Sequence, residues 1–315
     1  MEFNIELGDW IAAAVDYIRN NFADGLDAIA AVIEFVADGA FLALDVLPWW
    51  LLTIALVALG LWRVGWRFGV FTLAAMLLVV GMGLWEETVS TLALVLSATF
   101  IALVVGIPIG IAMSRNDTLE SAVRPILDLM QTLPPFVYLI PAAMFFGLGK
   151  VPGTIATIVF AMPPVVRLTN LGIRQVSEEN VEAGLAFGCT DRQLLTKVQF
   201  PLALPTIMAG VNQTIMLALS MVVIASMIGA GGLGNTVLTG IQRLDVGLGF
   251  EGGLGVVVLA ILLDRITQSF GHGATGGIPS FLKGLFSSGD AGQGASGRED
   301  AQGQGDAQPA HGRGG

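Results

Sequence analysis

Long apolar runs separated by short polar connections make up most of this 315-residue chain. A membrane-spanning helix needs roughly 17 to 25 predominantly apolar residues, and seven runs have about that length. They lie near residues 46–63, 68–85, 90–113, 126–149, 153–170, 202–229 and 253–271. The pattern therefore predicts an all-α fold, a polytopic membrane helix bundle with about seven transmembrane helices.

The first 45 residues have amphipathic helical spacing without a spanning run. They carry nine acidic residues and one base, Arg19, and their apolar residues recur every three or four positions. Such a segment is typical of a helix that lies along a membrane or on a bundle, with a docking or regulatory arm as the alternative. We divide the chain into this external segment 1–45, two transmembrane helices in 46–85, a transmembrane domain in 86–271 and a tail in 272–315.

Composition favours a bilayer over water. Hydrophobic residues make up 54% of the chain and charged residues only 13%, and the mean hydropathy is +0.75. A soluble globule of this size carries many more charges. The net charge of −10 also argues against nucleic acid as a partner, because phosphate binding needs clustered Lys and Arg.

Basic residues fall mostly on one side of the predicted membrane. When the runs are taken alternately, one set of loops collects most of the bases, which is the asymmetry of cytoplasmic loops. Arg63, Arg67, Arg115, Arg124, Arg167, Arg174, Arg192 and Lys197 fall on that side, and Arg19, Lys150 and Arg243 on the other. This predicts a multi-pass protein of the plasma or inner membrane, with its N-terminus outside, its C-terminus in the cytoplasm and the loop 171–201 inside. The tail is poor in large apolar residues, so we expect disorder from about residue 286.

The loop 171–201 has the pattern of two short helices joined at a glycine. Ser177 is placed to cap the first helix, with two acids in its first turn. Gly188 stands where the helix is expected to end, and glycine adopts the left-handed conformation of a helix end at the lowest energy. Thr190 followed by Gln193 is a capping-box start for the second helix. Pro201 is expected to limit how far that helix continues.

The same loop mixes small residues with apolar ones at helical spacing. The small residues are Ala183, Gly184, Ala186 and Gly188, and the apolar ones are Val181, Leu185, Phe187, Leu194, Leu195 and Val198. Small residues let another surface come close, and apolar ones give it area to bury. A loop exposed only to water has no reason to carry such a face, so we predict that it receives a partner.

The spacing within this loop resembles the EAA loop of ABC importer permeases. That family pattern is Glu-Ala-Ala, three residues, Gly, nine residues, and Ile-x-Leu-Pro. The matching positions are Glu182, Ala183, Gly184, Gly188, Val198, Phe200 and Pro201. Every spacing fits, and the residues at 184, 198 and 200 replace the family's Ala, Ile and Leu.

The flanking segments MQTLPPFVYLIP, ALPTIMAGVNQTIMLALSMVVIASMI and ILLDRITQ are similar to the glycine betaine/proline, or quaternary-amine, permeases. The resemblance covers about residues 5–271 and implies a type I ABC importer permease fold, with 86–271 as the type I transmembrane domain. It implies a pathway for compatible solutes such as glycine betaine or proline, a cytoplasmic ABC ATPase that carries ATP and Mg, and an external solute-binding protein. A second permease copy is also implied, as a homodimer or with a close relative.

The resemblance also gives roles to residues of the loop. Glu182 and Ala183 are expected to contact the ATPase, and Gly188 to make the turn between the two short helices. Arg192 is added to the predicted ATPase contacts because of its charge alone. Closure of the ATPases on ATP would push the first short helix as a rigid lever, and broken membrane helices would convert that push into outward opening.

Prolines and polar residues interrupt the fourth to sixth runs. Such interruptions are tolerated at membrane depth where the freed backbone groups face protein or a wet cavity, and they usually surround a pathway. The interrupting prolines include Pro141, Pro163 and Pro164. The predicted translocation path contains Pro134, Pro135, Phe136, Tyr138, Asn212, Gln213 and Thr214. Interhelical hydrogen bonding of the three polar residues and ordinary packing of the two aromatic ones are the alternatives.

Two glycine motifs predict packing and turns. Gly106 and Gly110 have GxxxG spacing, which permits close helix packing within or between subunits. Gly229, Gly231 and Gly234 form a GxGxxG, but a membrane run precedes them in place of the strand that a dinucleotide site requires. We interpret that stretch as a flexible external turn that closes the pathway.

Enzymatic chemistry has little support in the sequence. The two histidines, His272 and His311, lie near or in the tail, so zinc motifs and Ser-His-Asp triads lack a partner. The stretch GLGKVPGT has Val151 where a phosphate-binding loop requires a hydroxyl. The lone cysteine, Cys189, allows no internal disulfide and no thiolate metal site. We predict no catalytic residue, no metal and no cofactor bound by this chain.

Two other functions fit the sequence less well than the importer permease. An ATP-independent secondary transporter or channel for small zwitterionic or cationic solutes is the alternative, although internal repeats and intramembrane charges typical of such carriers are not evident. The segment FGCTDRQLL has helix-turn-helix spacing, but short tethers and low positive charge argue against DNA binding. The importer permease is the leading hypothesis.

Overall fold

The computed structural model describes residues 7–271, which form α-helices and one π-helical turn. The first half contains α1 (Leu7–Asn21), α2 (Ala23–Asp45), α3 (Trp49–Arg63), α4 (Trp66–Gly81), α5 (Trp85–Arg115), α6 (Asp117–Thr132) and α7 (Pro135–Phe146). The second half contains α8 (Lys150–Arg174), α9 (Glu178–Ala186), α10 (Asp191–Leu194), the π turn (Leu195–Gln199), α11 (Phe200–Ser220), α12 (Val222–Ser226), α13 (Leu233–Arg243) and α14 (Val246–Gly271). The all-α prediction is confirmed, and the predicted tail 272–315 lies outside the described residues.

Helix length and composition identify the membrane-spanning elements. In the described part of the chain, four helices are long and apolar enough to cross a bilayer alone: α5, α8, Asp191–Ser226 and α14. Two pairs qualify only together, since α2 and α3 meet at 98° and α6 and α7 at 96°. The shorter α4 is apolar but has 16 residues. The membrane bundle is confirmed, with four spans, or six if each bent pair counts as one, where the sequence predicts about seven.

The centre of the bundle is α8, which packs against α5 on one side and α11 on the other. Glycines permit both contacts. A Cβ added to Gly110 of α5 would lie 2.7 Å from Thr169 Cβ and 2.7 Å from the Val166 carbonyl oxygen. A Cβ on Gly210 of α11 would lie 3.1 Å from the Cα of Val165. The GxxxG motif therefore packs within the chain, because it brings α5 onto the backbone of α8.

The predicted interruption of the run 126–149 is confirmed, and it lies at Pro134. The chain leaves α6 at Leu133, whose φ and ψ are −66° and 133°, and begins α7 after Pro134. A residue before proline is driven out of the helical region, and proline has no N–H to donate. The result is the 96° bend between α6 and α7, which we call the elbow.

Pro163 and Pro164 behave differently, because α8 runs through both without a break from Lys150 to Arg174. Both prolines are buried in the contact with α5 and α11. Neighbouring helices on two sides hold the backbone in helical geometry although one hydrogen bond is lost at each proline. The expected interruption of the fifth run is therefore wrong.

The glycine-rich turn between α12 and α13 is closely packed rather than open. Gly229, Gly231 and Gly232 have φ of 88°, 79° and 70°, which only glycine adopts cheaply. A Cβ on Gly232 would lie 2.5 Å from Thr91 Oγ1, and the Leu233 N–H donates to the same hydroxyl at 2.8 Å. The expected flexible turn is in fact fixed to α5.

The N-terminal segment is helical, as its spacing predicts. Helix α2 packs along α5 and touches α7 and α8, with Ile33 and Ala37 buried. Lys150 at the start of α8 lies 3.8 Å from Asp38 and over the ring of Phe41 at 4.5 Å. This segment therefore rests on the end of the bundle where α8 begins.

Candidate functional site

Helix α9 occupies nine residues of the loop between α8 and α11. Its first turn contains two acids, Glu178 and Glu179, which the positive end of the helix dipole favours. Ser177 stands at the N-cap position but makes no capping hydrogen bond; its hydroxyl instead accepts from Asn180 Nδ2 at 2.8 Å. The prediction that Ser177 stands at the N-cap is therefore confirmed, whereas the predicted capping hydrogen bond is wrong.

Gly188 ends this helix in the left-handed conformation, as predicted, with φ of 80°. Its N–H donates to the carbonyl of Leu185 at 2.9 Å, and the Cys189 N–H donates to that of Gly184 at 3.1 Å. Nothing lies within 4 Å of a Cβ built at Gly188. The backbone conformation, and not crowding, is what requires glycine here.

The second short helix begins with the predicted capping box. Thr190 Oγ1 accepts from the Gln193 N–H at 3.4 Å, and the Gln193 side chain accepts from the Thr190 N–H at 3.0 Å. Four α-helical residues then pass into the π turn, where the Phe200 N–H donates to the carbonyl of Leu195. Helix α11 follows directly and contains Pro201 in its first turn.

Pro201 was expected to stop this helix, and that prediction is wrong. The chain is helical from Asp191 to Ser226, a segment of 36 residues. A proline in the first turn of a helix costs little, and the π turn before it accommodates the missing donor. The loop is thus joined to the membrane by one continuous rod.

Helix α9 has a covered face and a free face. Gly184 is buried, and a Cβ there would lie 2.8 Å from Leu194 Cδ1 and 3.4 Å from Val198 Cγ2. Glu182 and Ala183 are exposed, and Phe187 is 90% exposed. The free face combines one charge with apolar surface, which suits a partner.

Leu185, which is 50% exposed, and Phe187 belong to the apolar residues that the sequence predicts to meet a partner. The structure places both in the turn before the loop glycine, with their side chains exposed. Arg192 and Pro201 are also exposed, but they lie on the second helix and on α11, apart from α9. The apolar tip of α9 therefore consists of Leu185 and Phe187.

The loop is held against the ends of α5 and α8. Arg115, the last residue of α5, donates from Nη2 to the carbonyl of Asp191 at 3.0 Å. A cavity of about 570 Å³ opens between these elements. It is lined by Ser114, Arg115, Ile173, Arg174, Val176, Glu178, Val181, Glu182, Asp191, Leu194 and Gln199. Movement of α9 would change the shape of this cavity.

The proline-flanked helix α7 contains the aromatic part of the predicted path. Phe136 is 48% exposed, whereas Tyr138 packs with Leu139, Ala156 and Met221. The Tyr138 hydroxyl is buried and has no hydrogen-bond partner in the described residues. Pro134 is exposed and Pro135 begins α7. The structure thus brings these four residues together at the elbow, at the start of one short helix.

The side chains of three consecutive polar residues on α11 point in three directions, since successive helical residues are about 100° apart. These residues are Asn212, Gln213 and Thr214. Asn212 Nδ2 donates to Asp264 Oδ1 of α14 at 2.9 Å. Gln213 is exposed, and Thr214 is fully buried. Asn212 therefore makes the interhelical hydrogen bond that was the alternative to path lining, and the three residues cannot share one surface.

Sequence reasoning missed a polar network between α6 and α8. Glu120, on α6, is 8% exposed. Its carboxylate accepts from Asn170 Nδ2 at 2.8 Å, and Arg174 Nη2 lies 2.9 Å from its second oxygen. Further along, Arg167 Nη2 donates to Asp128 at 2.6 Å. The signal was the recurrence of charged or amide residues every three or four positions, at Asp117, Glu120, Arg124 and Asp128 of α6 and at Arg167, Asn170 and Arg174 of α8.

The bundle, its elbow and the short helix pair at one end define a membrane permease subunit of the ABC importer type. A crystal structure of the MetNI methionine ABC transporter in an inward-facing conformation has a similar fold, with a TM-score of 0.53 and 23% sequence identity. The match covers 59% of this chain and 95% of that one. At this identity the likeness shows the fold alone.

Sequence comparisons identify the family. Residues 102–273 match the family described as binding-protein-dependent transport system inner membrane component, and the chain belongs to that family. It is 48% identical over 271 residues to the glycine betaine/proline betaine transport system permease protein ProW of Escherichia coli (strain K12), covering 85% of this chain and 76% of ProW. It is 50% identical over 270 residues to the glycine betaine/carnitine transport permease protein GbuB of Listeria monocytogenes serotype 1/2a (strain 10403S), covering 84% and 95%.

Membership places the chain in the inner membrane as the permease component of an ABC importer. Such a component works with a solute-binding protein and with a separate ATPase subunit, so the chain is a transport subunit and not an enzyme. The predicted family, fold and transport class are confirmed. The comparisons give no support to the ATP-independent carrier.

Proposed function

We propose that this chain forms the translocation pathway of an importer for glycine betaine and related quaternary-amine compatible solutes. The observation that carries the proposal is identity of about half over 84% to 85% of the chain with two permeases whose names both include glycine betaine. The substrates named for those permeases differ in their second solute. Glycine betaine is therefore the primary candidate, and proline, choline and carnitine are secondary ones.

The test is uptake by proteoliposomes that contain this chain with its ATPase and solute-binding protein. Labelled glycine betaine is supplied outside the vesicles, with ATP and Mg held on the ATPase side. ATP-dependent uptake that excess unlabelled glycine betaine abolishes is the expected result. Uptake that is unchanged without ATP, or absent while another solute is imported, would overturn the assignment.

The loop 171–201 is proposed to bind the ATPase in the cytoplasm. Support comes from the clustering of basic residues with this loop, since Arg115 bonds Asp191 and Arg174 ends α8 just before α9. At the ends of α3 and α14, Arg63 bonds the Ser269 carbonyl. This arrangement supports an external N-terminus and a cytoplasmic C-terminus under the positive-inside rule, with the short apolar helix α4 as a further crossing between α3 and α5.

Cys189 tests this orientation, because it is the only cysteine in the chain and is partly exposed. A membrane-impermeant maleimide should label it in inside-out vesicles and not in right-side-out vesicles. A Cys189→Ser variant provides the blank. Labelling from the external side would remove the loop from the ATPase and refute the proposed coupling.

A second copy of the chain is proposed to complete the pathway. Support comes from α7, whose 12 residues span only about 18 Å at 1.5 Å per residue, beside an apolar cleft of about 280 Å³. Mass measurement of the assembled transporter checks this: two copies of the chain with two ATPases are expected. A single copy per ATPase pair would refute the homodimer.

A further inference from the structure

One row of paired charged and amide side chains joins α6 to α8, and the two helices run in opposite directions along it. Residues near the start of α6 meet residues at the end of α8, and residues near the end of α6 meet the middle of α8. The contacts at one end involve Asp117 and Arg174 at 2.6 Å, and those at the other involve Arg167 with Gln131 at 2.9 Å. This row lies on the same end of the bundle as the loop 171–201.

Glu120 is the centre of the row. It is buried, and each carboxylate oxygen has a donor: Asn170 and Arg124 at Oε1, and Arg174 at Oε2. A carboxylate removed from water is stable only when such partners replace its hydration. Arg124 lies on α6 itself, with 66% of its side chain exposed, whereas Asn170 and Arg174 come from α8. The bonds that matter between helices are therefore the last two.

Arg174 is the last residue of α8 and joins its own helix to two others, α5 and α6. Its Nη2 donates to the Met113 carbonyl of α5 at 2.8 Å and to Asp117 of α6 at 2.6 Å, and its Nε donates to Asn170 at 3.0 Å. The planar guanidinium fork suits several acceptors in fixed directions. Only the residues between 174 and 178 separate this fork from α9.

The far end of α6 leads into the elbow. Leu133 and Pro134 connect it to α7, which contains the predicted path residues Phe136 and Tyr138. A displacement of α6 must therefore appear as a rotation or shift of α7. Helix α6 thus has the loop at one end, through Arg174, and the pathway helix at the other.

We propose that Arg174 and Glu120 form a clamp that makes α6 move with the loop 171–201, so that a push on α9 reaches α7 through the elbow. They are positioning residues, and the inference rests on the proposed importer function. The clamp is separable from folding, because Leu127, Met113 and Val166 still pack α6 against α5 and α8 when the charges are removed.

The clamp is tested in the full transporter by the number of solute molecules imported per ATP hydrolysed. The double variant Glu120→Gln/Arg174→Met removes both charges, so no unpaired buried ion is left. We expect at least a fivefold fall in this ratio with the ATPase still bound. The matched control is Arg124→Met, which removes an arginine from the same carboxylate without touching α8, and it should stay within twofold of the wild type.

A wild-type ratio in the assembled double variant, or an equal fall in Arg124→Met, would overturn the clamp. If the double variant does not assemble, Arg174→Met decides: it removes the contacts to α5 and α6, while Arg124 and Asn170 still pair with the buried carboxylate of Glu120. A ratio lowered at least twofold supports the clamp, and an unchanged ratio overturns it.

Failure of the clamp can be distinguished from failure of the substrate assignment. If the wild type imports no glycine betaine, the clamp is judged by the ATP-dependent labelling of Ile140→Cys on α7, in the Cys189→Ser background. ATP should change this labelling in the wild-type clamp and not in the double variant. A change of equal size in both would overturn the clamp.

Discussion

Two glycines of the loop are required for different physical reasons. Gly188 has φ of 80° with open space around it, so any L-residue there pays for its backbone conformation. Gly184 has ordinary helical geometry and is limited by the Leu194 side chain 2.8 Å from a virtual Cβ. The end of a leucine side chain moves easily, so an alanine at 184, as in the family motif, is compatible with the fold.

Gly188→Val is expected to cost about 1 to 2 kcal/mol at the turn and to uncouple ATP hydrolysis from import. Gly184→Ala is the matched control and should retain both coupling and the melting temperature. Uptake per ATP and thermal unfolding in detergent check the pair. Normal uptake in a folded Gly188→Val transporter would refute the lever role of α9.

Phe187→Ser should weaken ATPase binding while leaving the melting temperature unchanged, because this side chain is 90% exposed. Removing an apolar residue at the centre of an interface costs about 2 kcal/mol of binding, or roughly thirtyfold in Kd. Phe250→Ser is the matched control, since that ring is 68% exposed on α14. Co-purification with the ATPase measures the difference. Equal losses in both variants would contradict a contact at Phe187.

At the scale of helices, the sequence predicts where a helix forms better than it predicts whether that helix bends. Apolar length located the spans, and Gly188, Thr190 and Gln193 located the loop helices, because those signals are local. The residues next to Pro134 and Pro163 do not indicate that the chain bends at the first proline and continues as a helix through the second. Their difference lies in packing: Pro134 is exposed, whereas Pro163 is held between two helices.

The contact between α5 and α8 depends on Gly110, where a Cβ would meet a carbonyl oxygen at 2.7 Å. We expect Gly110→Ala to destabilise the bundle by about 1 to 3 kcal/mol through overpacking. Gly253→Ala, in α14 with nothing within 4 Å, should be neutral or stabilising by about 0.5 to 1 kcal/mol. Melting temperatures of the two purified variants give the test. Equal stability of both would contradict close packing at Gly110.

At the scale of the whole molecule, the N-terminal helices differ in how they are attached. Helix α1 packs chiefly on α2, whereas α2 packs along α5 with Ile33 buried. Removing residues 1–22 should therefore leave the melting temperature nearly unchanged. Removing 1–45 should lower it, by about 2 to 4 °C for each 1 kcal/mol of packing lost. An equal effect of both truncations would show that α2 adds nothing.

The family and the two short helices of the loop were predictable because they depend on motif spacing in one stretch, as at Glu182 and Gly188. The polar network was not, because Glu120 and Asn170 are 50 positions apart and meet only through the packing of α6 on α8. The placement of Asn212 against Asp264 was missed for the same reason. Spacing along one helix gives no information about which helix faces it.

The continuous segment from Asp191 to Ser226 fixes the rotation of the membrane helix relative to the loop 171–201. Inserting one α-helical residue directly after the π turn would turn everything beyond it by about 100° relative to the loop. Asn212 would then face away from Asp264, and Gly210 would leave its place beside α8. The number of residues between the loop and the bilayer therefore determines which side of the rod faces inward.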